Sequence, residues 1–129
     1  MTLYHFTAQR FMINIKREGL TKGRMLKSTS PLSFLYGKQW LTQNSSFDQE
    51  WAVGTGKLPY KRNEVRIEVE IPSDSEHNLM SWNRAKFLTP EVAEVLSCRG
   101  DPENWFIYDG NISPYWLKDY LTPTQGNEE

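Results

Sequence analysis

His5 is one of two histidines in the 129-residue chain, and it stands in a short apolar stretch, LYHFT. An imidazole can donate or accept a hydrogen bond at neutral pH, so it suits contact with a ligand hydroxyl or phosphate. The alternative is a histidine packed in a sheet, with one ring nitrogen bonded to a backbone carbonyl. If residues 2–6 form a strand, Thr7 points to the same side as His5. Two polar groups then converge, which favours the ligand role.

Thr7 is also a suitable N-cap for the helix predicted to follow it, RFMINIKREGL. Lys16 and Arg17 suit the last turn of that helix, and Gly19 suits its left-handed C-terminal cap. Backbone N–H groups at such a helix start can hold a phosphate. Capping by the threonine alone is the simpler use of the same residue.

Trp40 and Thr42 lie in QWLTQ, the second predicted strand, where alternation puts them on one side and Leu41 on the other. An indole face can hold a cationic ring by stacking and cation–π attraction. Core packing is the equally good alternative for Trp40. The sequence therefore allows a second ligand-facing pair beside the first.

Arg66 belongs to the clearest strand of the sequence, EVRIEVEIP, in which apolar and charged residues alternate strictly. Such a strand buries one face and is typical of an antiparallel or mixed sheet. The planar guanidinium of Arg66 could bind a pyrophosphate with two parallel hydrogen bonds. A solvated face with cross-strand ion pairs is the alternative for the charged residues.

The strand LYHFT, the helix RFMINIKREGL and the strand WLT together resemble the ADP-ribosyltransferase superfamily, above all its small bacterial and viral branches. Those branches include tRNA 2′-phosphotransferases and DNA-modifying toxins. The resemblance implies a split antiparallel or mixed sheet with few helices around an NAD cleft, with NAD as the substrate. It assigns NAD binding to these residues: Tyr4, His5, Thr7, Trp40, Thr42, Arg66 and Asn104.

A glutamate at the start of a late strand completes the family pattern, where it stabilises the positive charge that develops on the ribose. Here the late strand is WFIYD, and Asn104 takes the position of that glutamate. Glu103 is one residue away, and strand alternation turns it to the other side unless the strand start is irregular. The resemblance thus implies Glu103 and His5 as the catalytic residues.

The implied activity is transfer of ADP-ribose from NAD to a protein or nucleic-acid acceptor. The small size of the chain fits a toxin, an effector or a phage- or virus-encoded modifier. Proteins of this kind can have an inhibitory partner protein. Three alternatives stay open. They are a non-catalytic module that binds NAD, ADP-ribose or a partner, an RNA 2′-phosphotransferase, and a partner-binding domain with an aromatic interface. No motif implies a metal.

Composition predicts one α+β domain over residues 1–121, followed by a polar tail over 122–129. The net charge is -1 with no basic stripe, so generic nucleic-acid binding is not indicated. No run is apolar enough to cross a membrane, and the start lacks the pattern of a signal peptide. Cys98 is the single cysteine, which fits a reducing cytoplasm.

Between these motifs the sequence predicts less regular structure. Residues 20–37, rich in Gly, Ser and Pro, are expected to form a loop packed on the body. Residues 73–88 are expected to form a short helix with loops, and residues 89–100 a helix capped by Thr89. The segment SPYWLKDYL could be a final helix or an extended edge.

Overall fold

The structure is a computed structural model that describes residues 1–29, 31–47, 64–82, 89–90, 94 and 102–123. Its main elements, in chain order, are β1 (Thr2–Thr7), α1 (Met12–Glu18), β2 (Arg24–Thr29), β3 (Leu32–Tyr36), β4 (Lys38–Thr42), β5 (Val65–Glu70), β6 (Leu79–Ser81), β7 (Trp105–Asp109) and β8 (Leu117–Leu121). Short 3-10 helices span Gln9–Phe11, Ser73–Asn78, Pro102–Asn104 and Pro114–Trp116. This is the predicted α+β class.

Six strands form the main sheet, in the order β6-β7-β4-β1-β5-β8, and all of its described pairs are antiparallel. The hairpin of β2 and β3 forms a second, two-stranded sheet. Strands distant in sequence are thus neighbours, because β1 lies between β4 and β5. The alternation of EVRIEVEIP is confirmed, since Val65, Ile67 and Val69 are buried.

The main sheet has two different faces. The helix face carries Leu3, Ile67 and Tyr108, and α1 packs on it through the buried Met12. The opposite face, here called the hairpin face, carries Ile107 and other side chains that pack with residues outside the sheet. Its cluster comprises Met25, Trp82, Trp105 and Ile107, with Trp40 and Met80 against it. Both faces of β4 and β7 are therefore packed, so apolar residues at odd and at even positions of these strands are covered.

The prediction that Thr7 caps a helix is wrong. Thr7 is the last residue of β1 and pairs with Val65. A 3-10 turn follows, and α1 begins at Met12 after Phe11, with no side-chain cap. Threonine is favoured both in strands and at helix N-caps. Here Thr7 is a strand residue, because it belongs to the backbone ladder between β1 and β5. Thr7 therefore neither caps this helix nor contributes to the phosphate site considered as the alternative at its start.

The helix ends where predicted, but Gly19 does not adopt the left-handed helical conformation expected of its cap. α1 stops at Glu18, and Gly19 follows with φ 83°. Lys16 and Arg17 lie in the last turn. A positive φ favours glycine, because a Cβ would collide with the neighbouring backbone.

The prediction of a loop over residues 20–37 is also wrong, because β2 and β3 form an antiparallel hairpin there. Met25 is fully buried against the tryptophans of the hairpin face, which fixes the hairpin on the sheet. That contact joins residues far apart in sequence, so local composition gives no sign of it. The density of Gly, Ser and Pro marks the ends of the hairpin instead.

The remaining expectations have mixed outcomes. SPYWLKDYL is a 3-10 turn followed by the edge strand β8, which confirms the extended alternative. Residues 73–78 are helical as 3-10 turns, and β6 follows. Most of the helix expected over residues 89–100 lies outside the described residues, although Pro90 and Glu94 are helical. The predicted tail beyond Pro123 also lies outside them. In the described part of the chain, no helix has the length and apolar character to cross a bilayer.

Alkaline conditions are expected to destabilise the protein partly through Tyr120. Burial raises the pKa of this tyrosine above its usual value near 10, because the charged phenolate is poorly solvated there. Its contribution to stability is present below the unfolded-state pKa and is lost as the pH rises through the folded-state pKa. Tyr120→Phe should therefore flatten the fall in unfolding free energy above about pH 10. Urea titrations at neutral and alkaline pH measure this, with Tyr115→Phe as the matched control.

Candidate functional site

The three strands that carry the sequence motifs are neighbours in the main sheet. β1 contains His5, β4 contains Trp40 and Thr42, and β7 follows the turn that contains Glu103 and Asn104. In the sheet they lie side by side in the order β7-β4-β1. Motifs about one hundred residues apart in the sequence are therefore brought to one region of the sheet.

The sheet has a seam between β1 and β4. In the described residues these two strands pair only where Tyr4 faces Thr42. By contrast, β1 pairs with β5 over its full length, from Thr2 to Thr7. Beyond Tyr4, the imidazole of His5 takes up the contact with β4, with its Nδ1 2.9 Å from the carbonyl oxygen of Trp40. We call this region the β1–β4 seam.

The hydrogen bond to Trp40 fixes the chemistry of the His5 ring. A carbonyl oxygen can only accept, so Nδ1 must carry a proton and donate it. In the neutral ring Nε2 then has a lone pair and is able to accept a hydrogen bond. This is the sheet-packed arrangement foreseen as the alternative for His5, and it also defines what the ring can offer to a ligand. The side chain is half-buried.

The predicted ligand residues divide between the two faces of the sheet. His5 and Thr7 share the helix face, because they pair with the buried Ile67 and Val65. Tyr4 lies opposite Thr42, so both are on the hairpin face. By alternation Trp40 and Arg66 share that second face. A single ligand lying on one face of the sheet would therefore contact only one of these two groups.

Trp40 and Thr42 have clear structural roles. The indole N–H of Trp40 donates to the carbonyl oxygen of Arg24 at 2.9 Å, and its ring packs edge-on against Trp105 at 5.8 Å. Thr42 is 1% exposed, and its hydroxyl accepts a hydrogen bond from the backbone of Asn44 at 3.1 Å. The packing role weighed for Trp40 is the one that its described contacts fill.

Arg66 is held between two aromatic rings. Its guanidinium carbon lies 5.1 Å from the ring centre of Tyr4 and 5.5 Å from that of Phe47. One terminal nitrogen donates to the carbonyl oxygen of Ser45 at 3.0 Å, while the buried Nε has no hydrogen-bond partner. The two ring contacts and one backbone hydrogen bond therefore hold this cation in place.

Glu103 and Asn104 lie in the 3-10 turn that precedes β7. The carbonyl oxygen of Asn104 accepts a hydrogen bond from the backbone N–H of Gln43 at 2.9 Å, which joins this turn to the end of β4. Glu103 is exposed and Asn104 is half-buried. The strand start is thus irregular, the condition under which a glutamate displaced by one residue can be re-aimed.

Gln39 is a buried polar residue that sequence reasoning missed. Its side chain is 1% exposed, and its Oε1 accepts a hydrogen bond from the backbone of Gly23 at 2.9 Å. Its Nε2 is buried without a hydrogen-bond partner, which is costly in a protein interior. The only sign of this in the sequence is that Gln39 is a polar residue within the strand segment KQWLT. Gly23 can approach this closely because a Cβ there would collide with Gln39 and with the carbonyl oxygen of Lys38.

The region contains an oriented imidazole on the helix face, a stacked guanidinium on the hairpin face and a carboxylate on the irregular turn before β7. Such groups can bind hydroxyls and anions and can stabilise a positive charge. Within the described ranges no group of acidic, His or Cys side chains is arranged to hold a metal ion. Comparison of the chain with protein-family models, with curated proteins and with solved structures gives no match.

Proposed function

We propose that the protein binds NAD at the β1–β4 seam and transfers ADP-ribose from it to a protein or nucleic-acid acceptor. The observation that carries the proposal is the adjacency of β1, β4 and β7, the strands on which the resemblance to ADP-ribosyltransferases rests. Two hydrogen bonds that involve residues of the predicted site link β4 with β1 and with the turn before β7. They join the His5 ring to Trp40 and the backbone of Gln43 to Asn104.

In this proposal the C–N bond between ribose and nicotinamide breaks, and nicotinamide leaves with the electron pair. The ribose carbon gains positive charge before the acceptor nucleophile attacks it and loses its proton. The imidazole of His5, oriented by the hydrogen bond from its Nδ1 to Trp40, would contact the ribose. Glu103 would offset the positive charge on the sugar. Arg66 lies on the opposite face of the sheet from His5 and its Nε is buried, so it has no part in this step.

A non-catalytic module that binds NAD or ADP-ribose is the second candidate. Asn104 favours it, because this residue stands where the resemblance calls for glutamate, and an amide carries no charge to offset a cation. A 2′-phosphotransferase is a third candidate, and it needs several arginines around the phosphate. Arg66 is the cation found near the seam, and its contacts to Tyr4, Phe47 and Ser45 already engage it.

The first experiment is a calorimetric titration of the purified protein with NAD, ADP-ribose and ATP, followed by assay of nicotinamide release. We expect NAD to bind and His5→Ala to abolish binding, because the oriented imidazole is lost. His77→Ala is the matched control, since the second histidine is exposed and lies in a different turn. Its affinity should equal that of the wild type.

The outcomes separate the candidates. NAD binding with nicotinamide release supports the transferase, and NAD binding without release supports the module. Binding restricted to 2′-phosphorylated ligands, lost on charge reversal of Arg66, supports the phosphotransferase. If none of these nucleotides binds the wild type, the nucleotide proposal fails and His5 has only its packing role.

A further inference from the structure

The β2–β3 hairpin exposes an apolar and aromatic surface on the side away from the sheet. Met25 points inward and is fully buried, so its neighbours along β2 point outward together with their cross-strand partners in β3. We define the hairpin outer surface by five residues: Arg24, Leu26, Leu32, Phe34 and Tyr36. Leu32 and Tyr36 are 67% and 70% exposed. Large apolar side chains at this exposure commonly mark a binding surface when they are grouped.

Positive charge is concentrated on the same hairpin. Residues 19–47 contain four basic residues and no Asp or Glu, although the whole chain has a net charge of -1. Lys38 is paired with Asp109 at 2.6 Å. The other three, Lys22, Arg24 and Lys27, are exposed on or beside the hairpin. The sequence shows no basic stripe because these residues are few, but Arg24 lies on the aromatic surface, Lys22 shortly precedes it in the chain and Lys27 stands at the irregularity of β2.

Arg24 is also stacked on this surface. Its guanidinium carbon lies 4.0 Å from the ring centre of Phe34, close enough for a cation–π contact. The ring of Tyr36 stands opposite Arg24 in the register of the hairpin and is mostly exposed. Proteins that bind single-stranded nucleic acid stack the bases on aromatic rings and contact the phosphates with neighbouring basic side chains.

We propose that the hairpin outer surface binds single-stranded nucleic acid. Bases would stack on Tyr36 and Phe34, while Arg24 and Lys27 contact the phosphates. Charge complementarity argues for this occupant, since a surface without a single acidic residue suits a polyanion better than an ordinary apolar protein partner. The proposal does not depend on NAD binding, and the two can fail separately.

The test is fluorescence anisotropy with labelled single-stranded DNA and RNA of about 10 nucleotides, at low salt and without NAD. We expect both strands to bind and Tyr36→Ala to weaken binding between about 5-fold and 150-fold, as loss of one stacked base does. Tyr115→Ala is the matched control, because Tyr115 is 85% exposed on another part of the surface. It should bind as the wild type does.

A second variant tests the charge. Lys27→Gln should reduce the slope of log affinity against log salt by about 0.7, the value for one phosphate contact on a single strand. Lys118→Gln, an exposed lysine on β8, is its control and should leave the slope unchanged. Both test residues are solvent-exposed, so circular dichroism is expected to show unaltered folding.

Three results would overturn the proposal. The first is no binding of either strand by the wild type at low salt. The second is an equal effect of Tyr36→Ala and Tyr115→Ala. The third is binding of a poly-glutamate peptide that depends on Tyr36 and is as tight as that of the oligonucleotides, which would assign the surface to an acidic protein segment.

Discussion

Gly19→Ala is expected to lower the free energy of unfolding by about 3 kcal/mol or more. Two costs add at this position. Gly19 has φ 83° and ψ -162°, a region that only glycine occupies readily. A Cβ there would also overlap the carbonyl oxygen of Ile112 and lie 2.9 Å from the nitrogen of Pro114. The backbone would have to move, and the paired hydrogen bonds between Leu20 and Ile112 would weaken.

Gly37→Ala separates the two costs of the Gly19 variant. Gly37 has a positive φ of 74°, but no atom lies within 4 Å of an added Cβ. The conformational cost alone remains, about 1–2 kcal/mol. Urea unfolding followed by tryptophan fluorescence measures both variants against the wild type. Equal losses for the two glycines would show that the close approach to Ile112 contributes nothing.

Glu103→Gln is expected to reduce nicotinamide release by about two to three orders of magnitude if the protein is the proposed transferase. The substitution keeps the size of the side chain and removes the charge that would stabilise the sugar cation. NAD affinity should change far less, since the effect falls on the transition state. Rates of nicotinamide release and calorimetric NAD affinities, measured on the same samples, distinguish an effect on the transition state from an effect on NAD binding.

Two variants of the next residue complete this test. Asn104→Ala should reduce release far less than Glu103→Gln does if Glu103 is the charged group, and its effect should fall on NAD affinity. The opposite result, a large loss for Asn104→Ala with Glu103→Gln unaffected, would assign the role to the amide. If the wild type binds NAD without releasing nicotinamide, Asn104→Glu is the variant expected to gain activity. That gain would identify the wild type as the binding module.

The sequence was sufficient for strands with strong local patterns. β5 was predictable because its apolar and charged residues alternate without a break, and β7 because WFIYD is apolar and ends at a turn. The hairpin was not predictable, since its decisive contact is the burial of Met25 against Trp82 and Trp105, which are remote in sequence. Thr7 was assigned to a cap because its pairing with Val65 is equally remote.

The strands that carry the candidate site residues were predictable from the sequence, but the faces to which these residues point were not. Alternation correctly placed His5 with Thr7 and Trp40 with Thr42. It could not say that the two pairs lie on opposite faces, because this depends on Tyr4 being opposite Thr42. Register between distant strands is a tertiary property, and a shift of one residue would have put the pairs together.

The β1–β4 seam also divides the sheet mechanically into two blocks of three strands, β6-β7-β4 and β1-β5-β8. Within each block the backbone ladders are extensive, whereas in the described residues β1 and β4 are joined by one ladder pair and the imidazole of His5. Cohesion across the seam therefore rests chiefly on the side chains of the helix face, where Leu41 and Tyr108 of one block pack with Leu3 and Ile67 of the other. A relative displacement of the two blocks would therefore cost apolar packing on the helix face and the His5–Trp40 hydrogen bond, whereas the ladders inside each block would be untouched.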